Sequence, residues 1–418
     1  MRTSTEPQAI LRIVATAGTT LVAVILLTYW PTYNYLVLDG RAPLFYYMLS
    51  GVVALPLLFL RPSIGVRLLR EPMVWWFLTY AFSGMAWLLL SQDFPGVAGQ
   101  QWRTRVLAGF FFFTILLSAS LSKPKLVTVA VVACVALAAA LNWFDILYPL
   151  ALVPAGVPGA NPGRGAGLFI NANGAAAFIL MGTIAALPYA PERFRAALLL
   201  LAVLGVAPTF SRFGWIFSPL LIVLAIGLKL LNRRQVLVIG CAIPLLIAGA
   251  GAYYEFVLQT GNENLLGRLA WFQTFGDHAD FSARERAHVA HQAWERFLDS
   301  PLYGQGIGVT VSHGARVGTH NMYALLMAEQ GLVGLALYLS LLGLLAYKGW
   351  QLARTAFLPR TRDVGLTMVL YAAFLGAYGF VSHTVLDDAH GMFILAFIVA
   401  MGLQAAWHEP RATSRADP

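Results

Sequence analysis

The stretch RVGTHNMYALLMAEQGLVGLALYL, residues 316–339, decides how the chain folds. It places Arg316, His320 and Asn321 directly before a run that is apolar enough to enter a lipid bilayer. A spanning helix needs about 20 mostly apolar residues to cross about 30 Å of hydrocarbon. The stretch therefore predicts a membrane helix with polar and ionisable groups at its mouth.

The composition of the whole chain is that of a membrane protein. Of its 418 residues, 59% are hydrophobic and 11% are charged, with a mean hydropathy of +0.69, whereas soluble domains carry roughly 25% charged residues. Apolar windows suited to membrane helices recur near 11–30, 43–60, 73–91, 104–121, 126–145, 172–190, 195–210, 213–232, 235–256, 319–347, 364–383 and 389–407. We therefore predict an all-α polytopic membrane protein with about 12 transmembrane helices.

Basic residues indicate how these helices are oriented. When both termini are placed in the cytoplasm, 18 of the 28 lysines and arginines fall on the cytoplasmic side, which is the bias that short loops show. Half of the other ten lie in one long external loop, which this rule does not cover. The net charge of +9 therefore reflects topology, and it does not indicate nucleic-acid binding.

The long polar segments divide the chain into three predicted parts. Residues 1–256 hold the first nine transmembrane helices, 257–318 form a large external loop, and 319–418 hold helices ten to twelve and a cytoplasmic tail. Long loops carry function more often than they merely connect, and here they lie on the external side. We therefore expect the chemistry to face outward.

Part of the large loop has the pattern of an amphipathic helix. SARERAHVAHQAWERFLDSP, 282–301, begins with a capping box and separates apolar from polar residues with helical periodicity. We expect this helix to lie on the membrane or on the helix bundle. Its polar face carries His288, His291 and Glu295, where a solvated surface is favoured over a metal site because metal ligands need a more ordered spacing.

Ionisable side chains also gather at the external ends of the predicted helices. Arg164 lies in a segment rich in glycine and proline, Arg212 interrupts an apolar stretch, and His313 and His320 follow a glycine-rich run. Charged residues at membrane depth are rare and face a polar cavity or bind something, and the planar fork of arginine suits phosphate oxygens. The alternatives are a loop tether for Arg164 and an interfacial anchor for Arg212.

No nucleotide-binding motif accompanies these groups. The chain has neither G-x-x-x-x-G-K-[ST] nor a G-x-G-x-x-G after a strand. Cationic and protonatable groups on one face of a membrane protein, without a nucleotide motif, indicate a lipid-linked anion as the ligand. ATP is not expected as the source of energy.

The stretch HNMYALLMAEQGLVG resembles the histidine motif of the O-antigen ligase and polymerase superfamily. The resemblance consists of His320 and Asn321, nine residues, Gly331, two residues and Gly334. The spacing from His313 to His320 is similar too. So is the expected layout, in which one large loop separates helices nine and ten of twelve.

Two arginine elements are also similar to those of the superfamily. RGAGL resembles its Arg-x-x-x-Leu element through Arg164 and Leu168, and SRFGW resembles its second arginine motif through Arg212. Ile216 stands where this second element would have leucine. Which of the two arginines has which role therefore stays open.

The resemblance implies a membrane glycosyltransferase of the GT-C-like type in the bacterial inner membrane. Both termini would be cytoplasmic and the active site would face the periplasm. The donor would be a glycan on undecaprenyl diphosphate, and the acceptor a sugar hydroxyl of lipid A core, in lipopolysaccharide biosynthesis. Membrane lipids are the other expected partners, and no cofactor, metal or ATP is expected.

The resemblance also suggests roles for individual residues. His320 would be the general base, and an imidazole with an ordinary pKa near 6.5 suits that task near neutral pH. His313 would orient His320 or substitute for it. The expected substrate-binding residues are Arg164, Arg212, Arg316 and Asn321. Preorganised arginines can stabilise the charge that grows on a departing lipid diphosphate.

Three alternatives stay open at this point. An O-antigen polymerase would use the same kind of donor twice, and a protein O-oligosaccharyltransferase would attach the glycan to a protein hydroxyl. A transporter of polyisoprenoid-linked glycans would also explain twelve helices and arginines at membrane depth. A transporter should show internal repeats with paired interrupted helices, whereas the one large loop here has no counterpart in the first half of the chain.

Overall fold

The computed structural model describes residues 6–91, 95–160, 163–260, 281–310 and 319–409. These residues form α-helices, short 3-10 turns and connecting loops, and no β-strand occurs among them. The all-α prediction is confirmed for this part of the chain. His313 and Arg316 lie outside the described residues, so their roles stay predictions.

The described ranges contain fifteen α-helices. They are α1 Glu6–Leu27, α2 Trp30–Val37, α3 Pro43–Leu60, α4 Pro62–Leu68, α5 Pro72–Leu90, α6 Pro95–Leu121, α7 Pro124–Leu147, α8 Ala172–Ala186, α9 Glu192–Val206, α10 Arg212–Gly227, α11 Arg233–Thr260, α12 Phe281–Asp299, α13 Met322–Thr355, α14 Pro359–Tyr378 and α15 Ala389–His408. Each of the twelve predicted windows coincides with one of these helices, and the additional ones are α2, α4 and α12.

Length and composition single out the helices that can cross a membrane. In the described part of the chain six helices are long and apolar enough, namely α1, α3, α6, α7, α13 and α15. α8 and α10 are apolar but shorter. The chain is therefore a multi-pass membrane protein, and spanning by the other six predicted helices stays a prediction.

Two helices that are buried on every face form the centre of the bundle. Every residue of α15 from His390 to Gly402 is buried, as is every residue of α8 from Ala175 to Ala186. A helix that is apolar all round belongs inside such a bundle. The first turns of these two central helices both contribute to the cavity described below.

The long helix α13 contains a break at Gly331, the first glycine of the histidine motif. Its φ of 62° and ψ of −153° are accessible to glycine but strained for other residues. At the break, the N–H of Leu332 donates to the carbonyl of Pro301 at 2.8 Å. A Cβ atom at Gly331 would lie 2.4 Å from the carbonyl carbon of Leu302. The glycine therefore lets residues 301–310 pack closely on α13.

The amphipathic helix predicted in the large loop is present as α12. Its apolar face packs on α13, where Ala293 is buried against Ala324 and Ala328. On the opposite face, Nδ1 of His291 lies 3.4 Å from Oε1 of Glu295, and both side chains are exposed. Within the part of the chain that the structure describes, no group of three His, Cys, Asp or Glu side chains is arranged to hold a metal ion.

Candidate active site

A cavity of about 500 Å³ lies where the N-terminal ends of the central helices α8 and α15 meet α12. Its charged and imidazole lining consists of Arg212, Arg286, His320, His383, Asp388 and His390. The cavity thus brings together two of the residues that the sequence predicts for the site, His320 and Arg212. They are 108 positions apart in the numbering of the chain, counted from 212 to 320.

His320 lies in the short connection before α13, with its backbone in the left-handed region at a φ of 49°. This conformation is uncommon for a residue other than glycine, and such strain persists where the surrounding structure imposes it. Here the next residue but one is held in place, because the N–H of Met322 donates to the carbonyl of Gly379 at 2.7 Å. The backbone therefore fixes the direction in which the imidazole enters the cavity.

The electrostatic surroundings of His320 keep its imidazole neutral. Burial, the positive charge of Arg286 and the neighbouring His383 together lower its pKa to about 4. The two imidazole rings are in edge contact, with 5.5 Å between their centroids. A neutral imidazole has a free lone pair, so His320 can accept a proton at neutral pH.

Asn321 has a clear structural task in the described chain. Its side-chain oxygen accepts a hydrogen bond from the N–H of Ala324 at 3.0 Å and so caps the N-terminus of α13. Asn321 does not belong to the residues that line the cavity. A contact of its amide with substrate stays a prediction.

Arg212 is the first residue of α10 and lines the cavity. It follows Ser211, whose hydroxyl accepts from the N–H of Gly214 and caps the helix. Because α8 also begins at the cavity, with Asn173 and Gly174 in its wall, two helix N-termini face the space beside Arg212. Helix N-termini carry partial positive charge and favour anions.

Arg164 lies behind the cavity wall. Its side chain is only 4% exposed, its Nε donates to the carbonyl of Thr209 and its Nη2 donates to Oδ1 of Asn173, both at 2.9 Å. Asn173 in turn lines the cavity, whereas Arg164 lines a separate small space beside Asp145. Arg164 therefore connects the glycine-rich segment, the turn before α10 and the first turn of α8.

The structure adds residues that the sequence reasoning missed. Arg286 reaches the cavity from α12, where it shares the helix face of Val289 and Ala293, both of which are buried. A charged residue on an otherwise apolar face was the available signal. His383 and Asp388 come from SHTVLDDAHG, residues 382–391, whose density of polar residues beside an apolar helix was the corresponding signal.

Asp388 is the one carboxylate among the described residues that line this cavity. It precedes α15, and its Oδ2 accepts a hydrogen bond from the hydroxyl of Thr384 at 2.7 Å. Burial raises the pKa of Asp388 to about 6, against the opposing effect of the Thr384 hydrogen bond. The wall near Asp388 is therefore less favourable to an anion than the wall near the two arginines.

Part of the chain matches a known protein family. Residues 197–339 match the O-antigen ligase family. This match supports the resemblance to the O-antigen ligase and polymerase superfamily. The matched segment of this chain contains Arg212, Arg286 and His320, whereas Arg164 precedes it and Asp388 follows it. No curated protein matches the chain. Members of the superfamily are glycosyltransferase-like enzymes that handle lipid-linked glycans.

Proposed function

We propose that the chain is an O-antigen ligase that transfers a glycan from undecaprenyl diphosphate to a sugar hydroxyl of lipid A core. The observation that carries the proposal is the common cavity of His320, Arg212 and Arg286. One substrate pair can reach a neutral base and two guanidinium groups there. The site would face the periplasm at the inner membrane, where the donor and the acceptor are both anchored in lipid.

The donor diphosphate would bind between Arg212 and Arg286. Guanidinium forks match phosphate oxygens with paired, charge-assisted hydrogen bonds. The N-termini of α8 and α10 add partial positive charge to the same space. These groups would stabilise the charge that develops as the diphosphate departs, which is the largest demand of the reaction.

His320 would act as the general base for the acceptor hydroxyl. The hydroxyl oxygen forms a bond to the anomeric carbon of the donor, the bond from that carbon to the diphosphate oxygen breaks with its electron pair, and the hydroxyl proton moves to His320. A bound diphosphate raises the pKa of a neighbouring imidazole because it stabilises the cationic form. His320 would therefore become a stronger base when the donor binds.

The other predicted site residues would have supporting roles. Arg164 would position Asn173 and the start of α10, since its donors are directed to Asn173 and Thr209. His313 would orient or substitute for His320, and Arg316 would supply a further cation. Both of these proposals rest on the sequence resemblance.

The acceptor distinguishes ligase from polymerase. Purified protein in lipid nanodiscs would be given lipid-linked glycan with or without lipid A core, in EDTA and without ATP. The ligase proposal predicts that release of undecaprenyl diphosphate depends on lipid A core. Release from the donor alone, with longer lipid-linked glycans as products, would identify a polymerase. Release that required a protein acceptor would identify a protein O-oligosaccharyltransferase.

Metal dependence is tested in the same assay. The proposed site uses guanidinium groups to stabilise the diphosphate, so we expect turnover to survive chelation. Turnover that is lost in EDTA and restored by magnesium or manganese would contradict the role given to the arginines. No turnover and no binding of undecaprenyl diphosphate would contradict the proposed function as a whole.

A further inference from the structure

His390 is a buried side chain of the cavity wall that the proposed reaction does not use. It is 2% exposed, and it lines the cavity from the first turn of α15. Its ring lies edge-on to those of Tyr29, Phe169 and Phe178, with 5.8, 5.6 and 6.2 Å between centroids. Within the described residues, neither of its ring nitrogens has a hydrogen-bond partner.

An imidazole in such surroundings is an unusual choice for packing alone. A neutral imidazole carries one N–H donor and one lone-pair acceptor, and burying both without partners destabilises the folded state. An apolar ring would fill the aromatic enclosure without that penalty. Buried polar groups are paired in native proteins, and an exception calls for an explanation such as a ligand.

The neighbours of His390 restrict the chemistry of this ligand. Tyr29 and Asp388 line the cavity beside His390, and all three also line a small adjoining space of about 50 Å³. A carboxylate disfavours a second anion close by, so the diphosphate does not suit this wall. Hydroxyl groups do, because one can donate to the lone pair of the unprotonated ring nitrogen and another can accept from the ring N–H. Aromatic rings offer apolar faces to the C–H groups of a sugar.

The imidazoles of the cavity belong to two separate groups. The ring of His320 contacts that of His383, and the positive charge acting on it is that of Arg286. The ring of His390 contacts Tyr29 and Phe169, which stack on each other with 4.8 Å between centroids. The cavity wall therefore has a cationic set of side chains that suits the diphosphate and, elsewhere, an aromatic set that suits hydroxyl groups.

We infer that His390, Tyr29 and Asp388 form a subsite for a hydroxyl-bearing sugar ring of the reaction. The inference rests on the proposed glycosyl transfer and names the part of the substrate that this wall holds. The ring belongs either to the glycan on the lipid diphosphate or to the acceptor. Both have the same chemistry, and binding measurements separate them.

The test compares His390→Phe and His390→Leu with wild type, and uses His408→Phe as the matched control. His408 is an exposed histidine at the opposite end of the same helix. Three quantities are measured in nanodiscs: the Kd of lipid-linked glycan, the Kd of undecaprenyl diphosphate without a sugar, and the KM of lipid A core. The melting temperature of each variant is recorded alongside.

We expect the apolar variants to weaken the binding of one sugar-bearing substrate by on the order of 10-fold, the effect of one or two hydrogen bonds. If the subsite holds a donor sugar, the variants should raise the Kd of lipid-linked glycan. If it holds an acceptor sugar, they should raise the KM of lipid A core. Affinity for undecaprenyl diphosphate should stay unchanged, and the melting temperature should not fall. His390→Gln, which supplies a donor and an acceptor, should recover part of the loss.

Two outcomes would overturn the subsite. Unchanged constants for both sugar-bearing substrates would show that His390 binds solvent only, and failure of both apolar variants to fold would show that its imidazole is structural. Failure of the proposed function is distinguishable, because wild type itself would then neither bind undecaprenyl diphosphate nor turn over.

Discussion

Residues with strained backbone surround the cavity. Ile170 and Phe210 have φ values of 62° and 48°, and His320 has 49°. Residues on either side of Ile170, and Ser211 after Phe210, line the cavity. Such conformations are sparsely populated by residues other than glycine and cluster at functional sites. The strain therefore supports a functional assignment that is independent of the residue types themselves.

Replacing His320 by Ala tests its role as the base. We expect kcat to fall by roughly 10²- to 10⁴-fold, the contribution of a positioned acid or base, with partial relief at high pH. Insertion and melting temperature in detergent should stay close to wild type. An unchanged rate together with a lowered melting temperature would remove His320 from the reaction.

The pH dependence follows from the pKa of His320, which its surroundings lower to about 4. Since the base must be unprotonated, kcat/KM should be constant above about pH 5 and should fall below it. The corresponding fall of kcat should occur at higher pH, because a bound diphosphate favours the imidazolium form of His320. Rate profiles of wild type and His320→Ala check both limbs. A limb near 6.5 in kcat/KM would show that burial does not perturb His320.

Lysine substitutions separate the two predicted arginines. Arg212→Lys keeps the charge and removes the fork, so kcat/KM should fall roughly 10- to 100-fold, about the value of a charged hydrogen bond, without loss of melting temperature. Arg164→Lys should lower the melting temperature as well, because a buried fork holds Thr209 and Asn173 together. Wild-type turnover in both variants would assign both arginines to anchoring.

The residue types and motif spacing predicted His320 and Arg212, and the structure places both in one cavity. The tether role of Arg164 was one of two alternatives, and it depends on Thr209 and Asn173, whose proximity only the folded chain reveals. Arg286 was missed because periodicity shows which face of a helix is buried but does not show whether a cavity opens beneath that face.

At the scale of the elements, a buried ion pair holds residues 301–310 against α13. Glu329 of α13 is 0% exposed and lies 3.6 Å from Arg105 of α6. Its Oε1 accepts from the N–H of Gly308 at 3.0 Å and from the hydroxyl of Thr310 at 2.9 Å. Together with the break at Gly331, this carboxylate holds residues 301–310 against α13.

Replacing Glu329 by Ala should therefore loosen residues 301–310. The variant leaves Arg105 buried without its partner, and losing one member of a buried pair costs about 3–5 kcal/mol. Limited proteolysis should cut the loop faster and the melting temperature should fall. Glu295→Ala is the matched control, because its pair with His291 is exposed and such pairs contribute little. Equal proteolysis of both variants would contradict the role of Glu329.

Over the whole molecule, hydropathy predicted where helices form, because a bilayer requires long apolar segments whose backbone groups bond internally. The distribution of charge predicts the orientation of the helices less directly. Arg195 pairs with Asp363 at 2.6 Å, and Lys348 pairs with Glu71, so two basic residues counted for orientation also bind within the bundle. Sequence counting cannot separate these two uses of a basic residue, but the bias persists without them.

Orientation is therefore worth testing directly. Cys134 and Cys241 are replaced by Ala, and a single cysteine is then introduced as Asp299→Cys or as Thr355→Cys. Both positions are exposed: Asp299 ends α12, just before the segment that leads to α13, and Thr355 ends α13. With both termini cytoplasmic, an impermeant maleimide applied to spheroplasts should label position 299 and leave position 355 unlabelled until the membrane is opened. The reverse pattern would place the cavity of His320 on the cytoplasmic side. It would then contradict the proposed periplasmic transfer, even if lipid-linked glycan bound to the purified protein.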